Sequence, residues 1–246
     1  MSNLGQLQSF GIKVKNSEIL SESVFDNIGI TNFYIQSYDL QEIPNRFDQF
    51  IHLNTLRLHC QYLKKIPSTI STLHNLKRID IYNKAAKSID VQFDKLEKLE
   101  EFRWGQASFF PLAITDAKNL KRATFDVSYF EAIDTDALVF QNLQIFDLSF
   151  CKLKGIPKCF ETLETIQGLY LTHSDFKEIE FDFQKLTNLA HLSFKRAENF
   201  GLIDMRKFMD SLMTIKNLKS LKTPLLSKGQ DEIRKDYKFE FEWMEE

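Results

Sequence analysis

The chain has 246 residues, of which 43% are hydrophobic and 27% charged, a composition typical of a globular protein. Its 32 basic and 34 acidic residues give a net charge of -2, which argues against binding nucleic acid or anionic lipid through a global field. No stretch approaches the roughly 18 apolar residues of a membrane span. The first residues also lack a basic segment followed by an apolar one, so we expect neither a membrane anchor nor a secretory signal.

One pattern of apolar residues recurs along the chain. In residues 53–75, LNTLRLHCQYLKKIPSTISTLHN, leucine and isoleucine hold fixed positions, and Leu76 begins the pattern again. A weaker copy begins at Leu7. A period held over this many units indicates repeats that stack on one another. The units of the form L-x-x-L-x-L start at Ile30, Leu53, Leu76, Leu99, Leu120, Leu143, Ile166, Leu189 and Leu218.

Each unit is predicted to contain a short strand followed by a turn. In residues 56–60, LRLHC, alternate side chains point to opposite faces, so Leu56 and Leu58 face one way while Arg57 and His59 face the other. One such strand cannot bury its apolar face alone, but parallel pairing with the next unit, about 4.8 Å away, builds a continuous core. The second half, IPSTISTL, is expected to return the chain as a turn or short helix.

These units resemble the leucine-rich repeat family in its short form, with the pattern LxxLxLxxNxLxxLPxxLxxLxx. The best copies are residues 53–75 and 143–165. The resemblance implies an α/β solenoid, a leucine-rich repeat horseshoe with a concave parallel β-sheet and convex turns or short helices. An Ile-Pro dipeptide also falls at one fixed position of the unit, at residues 43–44, 66–67 and 156–157.

The organisation along the chain is predicted in three segments. Residues 1–29 form an N-terminal cap or a degenerate repeat, residues 30–226 the repeat solenoid, and residues 227–246 a C-terminal cap or tail. Within the long unit after Leu189, residues 202–217 carry apolar side chains at spacings of three to five, which predicts an amphipathic helix. In the last segment aromatic residues alternate with charged ones, which predicts a strand with one aromatic face, acting as a cap or as a docking tail. These aromatic residues are Tyr237, Phe239, Phe241 and Trp243.

Phenylalanine is unusually frequent, with 23 copies against 7 tyrosines and 2 tryptophans. In the repeat register these rings, and Trp104, fall at positions that the pattern requires to be apolar. We therefore predict that they fill the core and do not form an aromatic binding stripe. The phenylalanines placed in this way are Phe33, Phe47, Phe50, Phe93, Phe102, Phe109, Phe125, Phe130, Phe140, Phe146, Phe160, Phe176, Phe183 and Phe194.

The chain departs from the family at the ninth position, where an asparagine amide usually satisfies backbone groups in the turn after the strand. A continuous row of asparagines is missing, and Asn83 lies one place away. Serine and cysteine side chains there can supply weaker hydrogen bonds, whereas alanine cannot, so we expect irregular turns or water in place of the amides. The ninth position holds Tyr38, Gln61, Lys84, Ala107, Ser128, Cys151, Ser174 and Ala197.

Catalytic patterns are weak throughout. No nucleotide-binding glycine loop, H-E-x-x-H or C-x-x-C motif is present. Ser149 near His173 resembles a hydroxyl–imidazole pair only faintly, and the pattern supplies no orienting carboxylate. Asp126 and Asp147 fall on neighbouring strands, where two close acids can bind a cation, although two solvated acids on an open face are the simpler interpretation. We therefore expect no catalysis, no metal and no cofactor.

The cysteines Cys60, Cys151 and Cys159 are odd in number and show no metal-binding spacing. This indicates reduced thiols and a cytoplasmic protein. Delivery into a host cell without a cleavable signal is the alternative.

The outward face of the strands is the predicted binding surface. Positions three, five, seven and eight of each unit are expected to project into solvent, with Arg, Tyr and His among them, and Tyr and Arg are enriched in protein interfaces. An exposed phenylalanine at position eight has no evident structural role. The predicted contact residues are Tyr34, Arg57, His59, Asp80, Tyr82, Arg103, Asp126, Asp147, Phe150, Tyr170 and His173.

These observations predict a non-enzymatic scaffold that binds another protein, with no nucleic acid or membrane as partner, and that is monomeric when free. The resemblance adds that bacterial relatives with such short repeats often act as effectors or as partners of effectors. Two alternatives stay open. One is the recognition module of a larger enzyme, ubiquitin-ligase-like or hydrolase, whose catalytic segment would lie outside the repeats. The other is a structural component that self-associates through the aromatic tail or an uncovered end.

Overall fold

The computed structural model of the protein describes residues 8–26, 29–173, 181–194, 210–222 and the backbone of 240–241. The chain forms two compact units: the first unit comprises residues 1–123 and 140–142, and the second unit comprises residues 124–139 and 143–246. Several predicted features lie outside the described residues, namely Ser174, Phe176 and Ala197, most of the predicted helix, and Tyr237, Phe239 and Trp243 of the tail.

Within the described residues, the first half of each repeat forms a strand of two to six residues. Strands β1 to β5 have five or six residues each, and the strands from β6 onward have two or three. The eleven strands are β1 Ser9–Val14, β2 Asn32–Ser37, β3 Thr55–Cys60, β4 Arg78–Tyr82, β5 Glu101–Gly105, β6 Arg122–Thr124, β7 Ile145–Asp147, β8 Gly168–Tyr170, β9 His191–Ser193, β10 Ser220–Lys222 and β11 Glu240–Phe241.

Strand pairing is parallel and follows the repeat period. In the first unit β1 to β5 pair in chain order, and each residue lies opposite the residue 23 positions later, as Leu56 does opposite Ile79. In the second unit β7, β8 and β9 keep this offset. Strand β10 pairs with β9 through Leu221 and Leu192, which are 29 positions apart, and β11 pairs with β10. The unit lengths predicted from the sequence are confirmed at these pairs.

Inward-pointing side chains build the core of both units. The residues that start the units from Ile30 to Leu189 are at most 1% exposed, and Trp104 is fully buried. Most of the predicted phenylalanines are buried as well, and their rings pack edge to face or tilted at centroid distances such as 4.9 Å between Phe33 and Phe50. Phe109 differs, since it is half-buried with its ring 5.3 Å from that of Trp104, while the adjacent Phe110 is buried.

The second half of the repeats returns the chain through 3₁₀ turns, as the turn-or-short-helix prediction anticipated. Pro67 and Pro157 immediately precede two of these turns with φ angles of -59° and -61°, values that the pyrrolidine ring favours. Residues 210–213 are α-helical. The 3₁₀ turns are Glu22–Asp26, Phe47–Gln49, Ser68–Thr72, Phe93–Lys95, Leu112–Asp116, Lys158–Thr162 and Phe183–Lys185.

Backbone groups after the strands are satisfied differently from our expectation. In the repeats that start at Ile30, Leu53 and Leu76 the buried polar or sulfur side chain sits at position eight, as Ser37, Cys60 and Asn83, and the ninth position is half-buried or exposed. In the repeat of Leu99 the ninth residue, Ala107, is buried. The Asn83 amide donates to the carbonyls of Cys60 and Leu63 at 2.7 and 2.8 Å, and its oxygen accepts from the Ala86 N–H at 2.9 Å. Asn83 therefore performs the role that the family assigns to the ninth position, one residue earlier.

In the second unit the buried group returns to position nine. Cys151 donates its S–H to the carbonyl of Phe125, and the Ser128 hydroxyl lies 3.4 Å from the carbonyl of Asp126. Sulfur and hydroxyl groups thus replace the amides at these two positions, as predicted.

A second row of asparagines connects successive repeats and was not predicted. Each occupies the last position of a unit, immediately before the starting leucine, and its amide donates to a backbone carbonyl of the preceding repeat at 2.8–2.9 Å. The recurring Asn-Leu dipeptide was the signal in the sequence. The bonds run from Asn75 to Ile51, Asn119 to Glu97, Asn142 to Lys118, Asn188 to Glu164 and Asn217 to Thr187.

Replacing Asn83 with alanine should lower the free energy of unfolding by about 2–4 kcal/mol, because two carbonyls and one N–H lose their partner inside the protein. Replacing the exposed Asn119, which makes one such bond in the same unit, should cost about 0.5–1.5 kcal/mol. Urea unfolding of both variants measures the difference. Equal losses would contradict the role assigned to Asn83.

Candidate partner-binding surface

Six of the predicted contact residues lie together in the first unit, on the outward face of β2 to β5. The parallel register places position five of successive strands side by side, and it places His59 beside Tyr82. We call this group the first-unit cluster; it consists of Tyr34, Arg57, His59, Asp80, Tyr82 and Arg103.

His59 is the centre of the first-unit cluster. Its Nδ1 lies 3.4 Å from the Tyr34 hydroxyl, and the two rings meet edge to face with centroids 5.2 Å apart. Its Nε2 lies 3.4 Å from Asp80 Oδ1, and its ring centroid lies 6.1 Å from that of Tyr82. Contacts on several sides hold the imidazole, so the cluster is ordered before any partner arrives.

Asp80 is buried, although it lies on the outward face. It is 5% exposed, and its Oδ2 lies 3.9 Å from Nη1 of Arg103. Burial by itself raises the pKa of the Asp80 carboxyl, but the neighbouring His59, Arg103 and Arg78 outweigh burial and bring the pKa below its ordinary value of 3.8. Asp80 therefore orients His59 and Arg103 and offers little surface of its own.

Arg57 is the exposed cation of the first-unit cluster. Its side chain forms no ion pair with any residue in the described part of the chain. Burial raises the pKa of the neighbouring Tyr34, and the charge of Arg57 opposes that shift. Because the net shift is upward, the Tyr34 phenol stays neutral at physiological pH. Arg57 is therefore the group of this pair that can meet an anion.

The other five predicted residues, Asp126, Asp147, Phe150, Tyr170 and His173, lie in the second unit. The ring of Phe150, 49% exposed, stacks on that of His173 with centroids 3.8 Å apart and an interplanar angle of 14°. Tyr170 folds back over Gly168. A Cβ atom added at position 168 would lie only 3.0 Å from the Tyr170 ring. Gly168 thus leaves room for the tyrosine to lie flat on the face.

Asp147 and Asp126 are half-exposed on the outward face of the second unit. Asp147 Oδ1 accepts a hydrogen bond from the Ser149 N–H at 2.9 Å. Among the residues that the structure describes, no group of three or more His, Cys, Asp or Glu side chains is arranged to hold a metal ion.

Position eight has an unusual backbone conformation in the four units that start at Leu99, Leu120, Leu143 and Ile166. Gln106, Val127, Phe150 and His173 have φ angles of 62°, 53°, 61° and 59°, in the left-handed region that glycine and asparagine adopt most readily. Val127 is 40% exposed, and sequence reasoning did not include it among the contacts even though it is an apolar residue at position eight. We call Val127, Phe150 and His173, all in the second unit, the second-unit ridge.

The three cysteines are buried free thiols. Burial raises the pKa of Cys60 and Cys151 to about 12 and that of Cys159 to about 11. These thiols are therefore protonated at neutral pH and are poor nucleophiles.

Comparison with known proteins gives matches in structure alone. No protein-family model and no curated protein matches the chain. The leucine-rich repeat domain of the type III effector XCV3220 (XopL) matches with a TM-score of 0.64 at 19% identity, covering 81% of this chain and 72% of that one. An internalin, InlF, from Listeria monocytogenes matches with a TM-score of 0.64 at 14% identity, covering 95% of this chain and 67% of that one.

The chain has the leucine-rich repeat fold. TLR13, solved in a complex with ssRNA13, matches with a TM-score of 0.63 at 22% identity, and this chain covers only 29% of its length. The predicted fold class is thereby confirmed, and the outward residues described above occupy the strand face of a leucine-rich repeat sheet. In the described part of the chain, no helix is both long and apolar enough to span a bilayer.

Replacing Asp80 with asparagine should destabilise the protein at neutral pH, and the difference from wild type should shrink in acid. A carboxyl whose pKa falls on folding contributes stability above its ordinary pKa of 3.8, and this contribution is lost as the pH falls through the lower folded value. Urea unfolding of both proteins between pH 7 and pH 3 measures the difference. A pH-independent difference would contradict the charge interaction.

Replacing Val127 with asparagine should raise the melting temperature by about 2 °C. A β-branched side chain in the left-handed region costs about 1–2 kcal/mol, part of which is offset by the packing of its half-buried methyl groups. Thermal unfolding followed by circular dichroism measures the shift. A fall of several degrees would show that packing of Val127 outweighs its backbone strain.

Proposed function

We propose that this leucine-rich repeat chain is a non-enzymatic scaffold that binds a protein partner through the outward face of its strands. The observation that carries the proposal is the first-unit cluster, in which Arg57 is exposed and has no ion pair among the described residues. It stands beside aromatic side chains that are already held in place. Arginine and tyrosine dominate the binding energy of protein interfaces, and side chains fixed beforehand lose little conformational entropy on binding.

The structural neighbours support the same proposal. The Arabidopsis receptor-kinase ectodomain GASSHO1/SCHENGEN3 matches with a TM-score of 0.54 at 17% identity and was solved in a complex with CASPARIAN STRIP INTEGRITY FACTOR 2. TLR13 was solved with single-stranded RNA. For the present chain we favour a protein over RNA, because its net charge of -2 provides no general attraction for phosphates.

The compartment and the biological setting are part of the proposal. Three buried, unpaired thiols support a reducing compartment such as the cytoplasm. The similarity to the repeat domain of a type III effector supports, as a second possibility, a role as an effector or an effector partner. We also propose that the chain is monomeric when free and that the partner itself carries any catalytic activity.

Replacing Arg57 with glutamate should reduce partner capture at least roughly tenfold, as expected for a central interface arginine, without lowering the melting temperature. Arg57 is exposed and has no ion pair to lose within the described residues. Arg103 is a less suitable test residue, because its reversal would also disturb the buried Asp80. Quantitative affinity capture from the source cell measures the effect.

The matched control is Lys64→Glu, which makes the same change of charge at an exposed position in the turn that follows the same strand. Its capture profile should equal that of the wild type. If Arg57→Glu and the wild type captured the same partners in the same amounts, the first-unit cluster would have no part in binding.

A further inference from the structure

The second-unit ridge combines backbone strain with solvent exposure. Val127 and Phe150 have φ angles of 53° and 61°, where branched and bulky side chains are disfavoured. The left-handed conformation is shared by the four successive repeats that start at Leu99, Leu120, Leu143 and Ile166, because Gln106 and His173 adopt it at the same position. The strain therefore arises from the choice of side chain, since asparagine or glycine would fit this conformation at lower cost.

Burial within the free protein offsets only part of this strain. Val127 and Phe150 are 40% and 49% exposed, so about half of their apolar surface remains in contact with water. In the interior of the same unit, Phe125 and Phe146 are fully buried. An apolar residue that is both strained and exposed contributes most when another molecule covers it.

The ridge is held ready for such a contact. The Phe150 N–H donates to the carbonyl of Thr172 at 2.7 Å, and the Val127 N–H donates to that of Ser149 at 3.2 Å. The stack on His173 fixes one face of the Phe150 ring, while about half of the side chain stays exposed. A partner would therefore meet an ordered aromatic surface.

Negative charge in the same repeats as the ridge indicates that the partner carries a cationic group. Asp147 lies on β7, three residues before Phe150, and its carboxylate accepts one hydrogen bond from Ser149 while forming no ion pair within the described residues. Asp126 immediately precedes Val127 and is also half-exposed. A half-exposed carboxylate in the same repeat as an exposed aromatic ring favours a cation and disfavours a phosphate.

We propose that the second-unit ridge is the anchor site for a protein segment that carries an arginine next to an apolar side chain. The guanidinium stacks on Phe150 and pairs with Asp147, and the apolar neighbour covers Val127. Arginine fits better than lysine because its planar group stacks on a ring and pairs with a carboxylate at the same time. The inference rests on the proposed function and specifies the chemistry of the partner in the second unit.

Selection from a library of displayed octapeptides against the intact chain tests the inference directly. We expect enrichment of sequences with arginine adjacent to a leucine, phenylalanine or other large apolar residue. The probe is then the fluorescein-labelled form of the most enriched peptide, whose binding is followed by fluorescence anisotropy. Replacing its arginine with lysine should weaken binding by about tenfold. Absence of any enriched family that carries arginine beside an apolar residue, or equal binding of the lysine form, would overturn the inference.

Phe150→Asn should weaken binding of this peptide at least roughly tenfold while leaving the melting temperature within about 3 °C of wild type, because relief of strain compensates for the lost stacking. Asp147→Asn, which leaves the ridge intact, should weaken binding and reduce its dependence on salt. The control Val139→Asn removes another exposed apolar side chain of the second unit, 66% exposed, and should leave the affinity unchanged. Unchanged affinity of Phe150→Asn and Asp147→Asn would overturn the inference.

The same measurements separate this inference from the proposed function. If Arg57→Glu abolishes binding of the selected peptide and Phe150→Asn does not, the proposed function stands and the ridge is not the anchor. If neither variant changes peptide binding or partner capture, the proposed function fails as well. Sedimentation at rising concentration tests a second copy of the chain as the occupant. A dimer that Phe150→Asn abolishes would overturn the assignment of an arginine-bearing partner.

Discussion

Stacking of one repeat on the next determines which side chains face outward. Each strand pairs with a neighbour 23 residues away over most of the chain, and its inward leucines, isoleucines and phenylalanines are almost completely buried. Because successive side chains of a strand point to opposite faces, the burial of Leu56 and Leu58 leaves Arg57 outside. The binding surface is thus a consequence of core packing repeated strand by strand, and no special loop is needed to build it.

The repeats also have to satisfy their backbone, and the chain uses several chemical groups for this. Asn83 holds the turn after β4 with three hydrogen bonds. Cys151 holds the turn after β7 with a single S–H donor. A row of asparagines before the starting leucines bonds to the preceding repeat. This variety explains how the fold tolerates a sequence that departs from the family pattern at the ninth position. It also explains why the repeats are recognisable in structure while sequence identity to the structural neighbours stays between 14% and 22%.

Period and alternation in the sequence were sufficient to predict the strands, their parallel register and the buried rings, including Trp104. They were not sufficient to predict local chemistry. Alternation assigns Asp80 to the outward face, but its burial depends on how His59 and Arg103 lie across it. Position eight turns inward in the repeats of Ile30, Leu53 and Leu76, whereas it is left-handed in the repeats from Leu99 to Ile166, and alternation alone does not distinguish the two. In the unit of Leu99, which is two residues shorter than the 23-residue units, Phe110 enters the core although the pattern assigns Phe109 to it.

The buried thiols bear on how this protein can be studied. Cys60, Cys151 and Cys159 are the complete set of cysteines in the sequence, and each is shielded from solvent and protonated at neutral pH. Maleimide and iodoacetamide reagents attack exposed thiolates, so the folded chain resists them. A cysteine introduced at an exposed site would accept a fluorophore or spin label selectively, with no need to remove the native thiols that pack inside the repeats.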